Sequence, residues 1–277
     1  MVSRLAKVSA IKRRIGLIGF GAIGKDVAAR LLSASDPPPA LTVLTRKPIP
    51  AKAGIGWVGN VSDLIQKAPD IVIEAAGHAA VQECVPPLLE DGIPVVLTSV
   101  GALADTALEA KVRDAERRGQ SSLILPGGAI GGIDYLRSVA QSSNLVARYC
   151  SRKPTAAWRQ EIAALGLDPD AATSEIQLFE GTAREAALLF PQNLNVALTI
   201  ALAVGGMDAL KVRVVADPNV KRNSHEIEIE SAAGRASFVF ENTPSATNPK
   251  TSAVTALSIV QAVKERLDII CPLTSTE

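Results

Sequence analysis

Residues 15–24 read IGLIGFGAIG, and this apolar run entering a glycine-rich loop decides the fold. The loop has the spacing GxGxxG: Gly19 permits a tight turn, Gly21 lets backbone approach a diphosphate, and Gly24 lets the next helix pack closely. The exposed amides of that helix, at its positive dipole end, bind an anion. The stretch therefore predicts a loop that binds the pyrophosphate of a nicotinamide dinucleotide. Its predicted contacts are Gly19, Gly21, Ala22, Ile23 and Gly24.

Outward from this loop, short apolar runs alternate with helical stretches through the first half of the chain. The predicted strands are 15–20, 41–45, 71–75, 95–98 and 122–125, and the predicted helices are 25–33, 61–66, 79–90 and 106–118. This alternation predicts parallel strands with crossover helices on both faces, which is a Rossmann doubly wound sheet. Pro86 and Pro87 predict a kink or a break in one helix because proline has no amide hydrogen.

The pattern changes after the glycine-rich segment 126–132. The predicted strands are now 147–150, 212–215, 225–230 and 236–240, and the predicted helices are 183–190, 194–204 and 251–267. Strands that are close in sequence favour antiparallel pairing, and the turn 232–234 would join the last two as a hairpin. The chain is therefore expected to be an α/β protein. Residues 1–126 would form the dinucleotide-binding domain, and residues 127–248 a second α+β domain with a mainly antiparallel sheet.

Composition excludes several classes of function. Lys and Arg total 29 against 28 Asp and Glu, so no basic excess exists to bind nucleic acid. The three cysteines are far apart and unpaired by any CxxC spacing, which predicts a reducing cytoplasm and no metal site. The apolar stretch 196–204 is about half of the ~20 residues that a membrane span needs. Basic residues precede the first apolar run as in an export signal, but its glycines predict a strand instead.

The end of the second predicted strand bears on the choice of dinucleotide. A carboxylate about 20 residues after the loop would accept the ribose hydroxyls, but residues 45–48 read TRKP. Arg46 and Lys47 would suit a 2′-phosphate, or they are two solvated cations before a proline turn. The sequence leaves both interpretations open, so the expected cofactor is NAD or NADP.

The chain has two histidines as candidates for proton transfer. His225 begins the alternation HEIEIE, which places it with Ile227 and Ile229 on a buried strand face and turns three glutamates toward water. This position suits a general acid–base group, although from a bare sequence a half-buried structural histidine is the commoner case. His78 follows the third predicted strand, at the sheet edge where cofactors bind, or else it caps the helix that follows.

The segment 248–252, with the sequence NPKTS, precedes the last predicted helix. Its hydroxyls and amides would cap that helix. Alternatively Lys250, beside the positive helix end, would bind a substrate carboxylate together with Thr251 and Ser252.

Short motifs follow one another in a fixed order from the phosphate loop to the last helix. They are EAAGH at 74–78, SVGAL at 99–103, PGGAIGG at 126–132, RKP at 152–154, LFEG at 178–181, FPQNLN at 190–195, DP at 217–218, NSH at 223–225 and NPKTS at 248–252. In this order the motifs closely resemble those of the L-aspartate dehydrogenase family.

The resemblance implies oxidation of L-aspartate by NAD or NADP to iminoaspartate, which hydrolyses to oxaloacetate and ammonia or supplies quinolinate for NAD biosynthesis. It implies dinucleotide contacts at Ala129 and Asn195 and an active-site histidine at His225. It also implies a homodimer in which a terminal helix, within residues 249–277, packs back on the first domain. Cofactor preference is not implied, because the family varies at residues 45–47.

Two alternatives remain, the first within the enzymes and the second in a different class. A dehydrogenase for another small amino or hydroxy acid, such as homoserine or diaminopimelate, would share the loop and the fold. A dinucleotide-binding protein without turnover would also share them, although His225 and Asn195 speak against it.

Overall fold

A computed structural model describes residues 13–33, 37–47, 54–190, 194–245 and 248–267 of the chain. Its first sheet has six parallel strands, β1 (Arg14–Ile18), β2 (Ala40–Leu44), β3 (Ile55–Val58), β4 (Ile71–Glu74), β5 (Val95–Leu97) and β6 (Leu123–Ile124). They lie in the order β3-β2-β1-β4-β5-β6, so the strand order reverses between β1 and β4. The carboxyl edge at such a reversal is where doubly wound sheets bind ligands. The predicted Rossmann sheet is confirmed.

Helices on both faces bury this sheet. They are α1 (Ala22–Ser33), α2 (Val61–Gln66), α3 (His78–Glu90) and α4 (Thr106–Arg118), with a short 3₁₀ helix at Val100–Ala104. The predicted break at Pro86 and Pro87 is wrong, because α3 runs through both prolines. The carbonyls that lose amide partners belong to Gln82 and Glu83, which lie on the exposed face where water can bind them. Pro86 itself is buried, so its packing offsets part of the loss.

A second sheet of five strands follows. Its strands are β7 (Val146–Lys153), β8 (Ile176–Thr182), β9 (Leu210–Ala216), β10 (Asn223–Ser231) and β11 (Gly234–Asn242). Their order is β11-β10-β7-β9-β8, and every neighbouring pair is antiparallel except β7 with β9. The predicted α+β unit, its mainly antiparallel sheet and the β10–β11 hairpin are confirmed.

Helices pack on one face of this sheet. They are α5 (Ile133–Val139), α6 (Arg159–Ala164), α7 (Ala183–Leu189) and α8 (Asn195–Ala203). The alternation along β7 and β10 turns Tyr149, Ile227 and Ile229 toward the helices, and each of these side chains is at most 1% exposed. The inward face of the second sheet, including His225, is therefore shielded from bulk water.

The last helix, α9 (Val254–Arg266), returns to the first sheet. Ile259 and Val263 on α9 join a buried apolar cluster with Leu17 of β1 and Val27 of α1. Each such side chain contributes roughly 1.5–3 kcal/mol when it leaves water. At the end of α9, Arg13 donates a hydrogen bond of 2.9 Å to the Leu267 carbonyl.

Residues predicted to begin or cap the last helix form a strand instead. β13 (Asn248–Ser252) pairs with β12 (Pro244–Ser245), and the N-cap of α9 is Ala253 without a side-chain cap bond. The predicted capping is wrong because the backbone here pairs with a neighbouring strand: the Ala253 amide donates to the Thr243 carbonyl at 2.9 Å. Division of the chain at residues 126 and 248 stays a prediction. None of the helices that the structure describes is long and apolar enough to cross a membrane.

Candidate active site

A cavity of about 440 Å³ lies at the carboxyl edge of the first sheet and extends to the inward face of the second. The first sheet contributes backbone-rich loops to its wall, among them Gly77 after β4 and Ser99 after β5. The second sheet contributes Lys153 and His225. The cavity therefore brings the predicted dinucleotide edge and the predicted catalytic histidine into one site.

The phosphate loop has the geometry that its glycines require. Gly19 has a φ of 90°, and a Cβ there would lie 2.7 Å from the Ala75 carbonyl oxygen. A Cβ on Gly24 would lie 2.4 Å from the Gly19 carbonyl oxygen, so α1 can pack on β1 only through a glycine. A Cβ on Gly21, in contrast, would meet nothing within 4 Å. The helix begins at Ala22, earlier than predicted, and Ile23 in its first turn lines the cavity.

A buried carboxylate that the sequence analysis did not single out joins the two loops beside this site. Glu74, the last residue of β4, is 0% exposed. It accepts hydrogen bonds from the amides of Ala76 and Gly77 at 2.7 and 2.8 Å, and from the Ser99 amide and hydroxyl at 3.0 Å each. These bonds hold the turns after β4 and β5 in register. The available signal was an acidic residue at the end of the apolar run IVIE.

His225 lies on the inward face of β10, as predicted, and is 5% exposed. Its Nδ1 shares a hydrogen bond of 2.8 Å with the Tyr149 hydroxyl of β7, which leaves Nε2 for a ligand. Burial, and then the positive charge of Lys153, lower the pKa of His225 to about 4. The imidazole is therefore neutral at pH 7. Tyr149 was missed because the sequence does not show which residues of two strands are neighbours.

The glutamates of β10 only partly follow the prediction. Glu228 and Glu230 are exposed, but Glu226 is half-buried, and its carboxylate accepts a hydrogen bond of 2.8 Å from Arg152. Arg152 also pairs with Asp217 at 2.9 Å and with Glu175. This network crosses strands and is invisible to a pattern that follows one strand.

Lys153 ends the inward face of β7 and is 7% exposed. Its Nζ lies 4.8 Å from the centroid of the Trp158 ring, a cation–π distance. Burial lowers the pKa of the ammonium to about 8, and the charge of Glu161 offsets part of that effect. Lys153 lies within the RKP motif, which by itself predicts no role for the lysine. The signal was a lysine in the register of the buried residues Ala147 and Tyr149.

Asn195 and His78 meet at the turn after β5. The Asn195 Oδ1 accepts a hydrogen bond of 2.8 Å from the Gly101 amide, and the residue lines the cavity. A Cβ on Gly101 would lie 2.7 Å from the His78 Nε2 and 3.0 Å from the Asn195 Oδ1. His78 thus packs behind the turn, close to the dinucleotide edge. The alternative that it caps α3 is wrong, since the cap is Gly77 without a side-chain bond.

Ala129 lies in a glycine-rich segment that is held from two sides. Its carbonyl accepts a hydrogen bond of 2.6 Å from the Asn242 side chain, and the Gly128 amide donates to the Ser258 hydroxyl of α9 at 3.0 Å. Ala129 lines the cavity. The segment therefore connects β11, α9 and the cavity wall.

The other predicted site residues lie in different places, some in the cavity wall and one on the surface. Thr251 and Ser252 of β13 line the cavity, and Ser252 is 8% exposed. The side chain of Lys250, like Pro48, lies outside the described part of the chain. Arg46 lies at the end of β2 with its side chain 78% exposed, and its Nη2 is 3.4 Å from the Glu83 carboxylate. Such a surface ion pair contributes little to stability, so the guanidinium can turn to another anion.

Comparisons with known proteins agree with this geometry. A family model for the NAD binding domain of homoserine dehydrogenase matches residues 19–126, and one for the C-terminal part of aspartate dehydrogenase matches residues 134–266. L-aspartate dehydrogenase 2 of Bordetella bronchiseptica is 43% identical over 92% of this chain and 97% of its own length. L-aspartate dehydrogenase of Ruegeria pomeroyi is 40% identical over 94% of each chain.

A solved structure extends the similarity to the fold. Aspartate dehydrogenase from Thermotoga maritima superimposes with a TM-score of 0.72 at 26% identity, covering 96% of this chain and 99% of that one. Dihydrodipicolinate reductase from Paenisporosarcina, with a TM-score of 0.52 at 11% identity, shares the fold alone. With relatives this similar over nearly the full length, the chain belongs to the L-aspartate dehydrogenase family.

Proposed function

We propose that this protein oxidises L-aspartate, with NAD or NADP, to iminoaspartate, which water then converts to oxaloacetate and ammonia. One observation carries the proposal: a neutral, buried histidine lines the same cavity as the dinucleotide edge of the first sheet. Family membership supports the same substrate and the same reaction. Iminoaspartate can also enter NAD biosynthesis, as the resemblance implies.

The loop fits a dinucleotide. The open space at Gly21 leaves room for a pyrophosphate, and the first turn of α1 supplies free amides at a positive helix end. We assign the pyrophosphate to Gly19, Gly21, Ala22, Ile23 and Gly24. Ala129 and Asn195 would contact the rest of the cofactor from the cavity side, and His78 would contact it from behind the turn after β5.

The oxidation requires a neutral substrate amine, because its lone pair forms the C=N bond. His225 would accept the ammonium proton at Nε2 while Nδ1 carries the ring hydrogen and donates it to the Tyr149 oxygen. When bound, the nicotinamide ring supplies the hydride acceptor for the hydrogen on the α-carbon. After passing the ammonium proton to solvent, His225 would remove a proton from the water that attacks the imine carbon. It would then return that proton to the nitrogen, which leaves as ammonia while the new hydroxyl loses its proton and becomes the carbonyl oxygen. Thr251 and Ser252, with Lys250, would hold the carboxylates.

A substitution at His225 tests this assignment. His225→Asn is expected to lower kcat with aspartate about 10²–10⁴-fold, the usual contribution of a positioned acid–base group. NAD(P) affinity, measured by fluorescence, should stay unchanged. Glu228→Gln, on the exposed face of the same strand, is the matched control. Near-normal kcat in His225→Asn would remove the residue from the mechanism. Turnover of homoserine or another amino acid, in preference to aspartate, would contradict the proposed substrate.

Cofactor choice is a separate part of the proposal. Arg46 is free to swing from Glu83 toward a 2′-phosphate, because both side chains are mostly exposed. Arg46→Ala should then raise KM for NADP about tenfold or more and leave KM for NAD within about twofold, since the lost contact is charge-assisted. An unchanged preference for NADP over NAD would show that Arg46 has no part in the choice.

We further propose that the protein forms a homodimer in the cytoplasm. Leu188, Leu189 and Val239 are more than 60% exposed, and a partner subunit would cover such apolar surface. Cys84 and Cys150 are free thiols, which suits a reducing compartment. A monomer mass measured by light scattering would contradict the homodimer. Recovery of the protein outside the cytoplasmic fraction would contradict the proposed location.

A further inference from the structure

The hydrogen bond between His225 and Tyr149 can run in two directions, and only one of them leaves Nε2 as a base. The Tyr149 hydroxyl lies 2.8 Å from the His225 Nδ1. The ring planes are 13° apart and the centroids 6.1 Å apart, so the phenol meets the imidazole at its edge and not over its face. If the phenol donates, the hydrogen of the neutral ring is on Nε2. If the phenol accepts, that hydrogen is on Nδ1 and Nε2 keeps a lone pair.

The phenol keeps its own hydrogen in either arrangement. Tyr149 is 1% exposed, and burial raises the pKa of its hydroxyl far above the ordinary value, although Ser151 lowers it in part. A buried hydroxyl hydrogen needs an acceptor, because a buried donor without one is costly. The hydrogen of Tyr149 therefore goes to the imidazole unless a second acceptor lies nearby.

Ser151 provides that second acceptor. It follows Tyr149 by two residues on the inward face of β7 and stands directly opposite His225 in the β7–β10 ladder. Ser151 is 0% exposed, and its Oγ lies outside hydrogen-bond geometry with every group that the structure describes. The serine nevertheless acts on the phenol, since it is one of the groups that set the pKa of Tyr149. A buried oxygen with unused capacity to accept a hydrogen bond therefore lies beside both rings.

We infer that Tyr149 and Ser151 are positioning residues that fix the tautomer of His225. The phenol donates its hydrogen to the Ser151 Oγ and accepts the Nδ1 hydrogen of His225, so the Nε2 lone pair faces the cavity. This inference rests on the proposed function, in which Nε2 accepts the proton of the substrate amine. After that transfer the imidazolium keeps its Nδ1–H bond to the phenol oxygen, so neither hydroxyl has to change partner during the reaction.

Nitrogen NMR tests the tautomer directly, because the chain has two histidines. In protein made with nitrogen-labelled histidine, the His225 signals are those that His225→Asn removes. At pH 7 we expect a hydrogen on Nδ1 and none on Nε2 in the wild type. Tyr149→Phe removes the acceptor of the Nδ1 hydrogen, and Ser151→Ala returns the phenol hydrogen to Nδ1. Both variants should therefore move the ring hydrogen to Nε2.

Activity and cofactor affinity are measured on the same proteins. Tyr149→Phe and Ser151→Ala should each lower kcat with aspartate about 10–100-fold, because a histidine in the wrong tautomer is a poor base. NAD(P) affinity should change less than about twofold, since neither hydroxyl contacts the cofactor. Tyr135→Phe, at the other tyrosine of the chain, is the matched control and should alter neither the tautomer nor kcat.

Several outcomes would overturn the inference. A hydrogen on Nε2 of the wild-type His225, or an unchanged tautomer in either variant, would do so. So would a kcat that stays unchanged when the tautomer shifts, or a loss of NAD(P) affinity as large as the loss of kcat, because the latter pattern belongs to general damage to the site. A melting curve checks that each variant, which lacks only one oxygen atom, is folded. If the tautomer behaves as expected but the wild type never oxidises aspartate, the proposed function fails and the selection of the tautomer stands.

Discussion

The buried ammonium of Lys153 has a consequence for stability. Its pKa is about 8 in the folded chain and 10.5 when exposed, so the unfolded state holds the proton more tightly. By linkage, the charged lysine destabilises the folded state by roughly 3 kcal/mol below pH 8, and the cost shrinks as pH rises from 8 to 10.5. The positive charge of this side chain thus opposes folding at neutral pH.

Lys153→Met should therefore increase the free energy of unfolding at pH 7, by as much as about 3 kcal/mol. The gain over the wild type should become smaller at pH 10, because the wild-type lysine is then largely neutral. Urea denaturation of both proteins at the two pH values measures this difference. A variant that is less stable than the wild type at pH 7 would mean that contacts of the ammonium outweigh its desolvation.

The positions of individual residues were predictable where the alternation along a single strand was enough to place them. The alternation HEIEIE correctly placed His225 with Ile227 and Ile229 on a buried face. Tyr149, which bonds the imidazole, could not be predicted because the pairing of β7 with β10 joins residues 76 positions apart. Glu74 was missed for a similar reason, since two of its four hydrogen bonds come from Ser99 on the next loop.

At the scale of elements, two glycines of the phosphate loop, Gly24 and Gly21, serve different purposes. Gly24 is required by packing, because a Cβ there would lie 2.4 Å from backbone oxygen. Gly21 has open space around it, so its lack of a side chain serves a ligand and not the fold.

Two alanine substitutions test this difference. Gly21→Ala should keep or slightly raise the free energy of unfolding, by at most about 1 kcal/mol, and weaken NAD(P) binding tenfold or more. Gly24→Ala should lower the free energy of unfolding by about 1–3 kcal/mol because α1 must move away from β1. Thermal melts with and without NAD(P) distinguish the two. Equal loss of stability in both variants would contradict the assignment of Gly21 to ligand binding and of Gly24 to packing.

Elements were predicted well where their apolar pattern was long. The strands and helices around the loop were found with ends shifted by a few residues, whereas β3 was missed because Gly56 interrupts a run of only four residues. The NPKTS segment was assigned to a helix start, but its backbone pairs with β12. The prediction of a break in α3 was wrong because the carbonyls that lose their amide partners face water, and α3 therefore tolerates both prolines.

At the scale of the whole molecule, α9 stabilises the first sheet. Val263 is 0% exposed against that sheet, while Leu257 on the same helix is 48% exposed. Val263→Asp should destabilise the protein by more than about 4 kcal/mol, because it buries an unpaired charge, and should abolish NAD(P) binding. Leu257→Asp should change stability by at most about 0.5 kcal/mol. Denaturation midpoints of the pair measure the difference, and a mild effect of Val263→Asp would show that α9 is dispensable for the first sheet.

The return of α9 also fixes the order in which the two sheets can be completed during synthesis. β1 and α1 leave the ribosome before the second sheet, whereas the helix that covers Leu17 and Val27 emerges after it. Until then the nascent chain carries an uncovered apolar face for the time needed to translate the whole second sheet. The first sheet is thus completed only after the second sheet has been made, and a chain stalled before Val254 would present that face to chaperones.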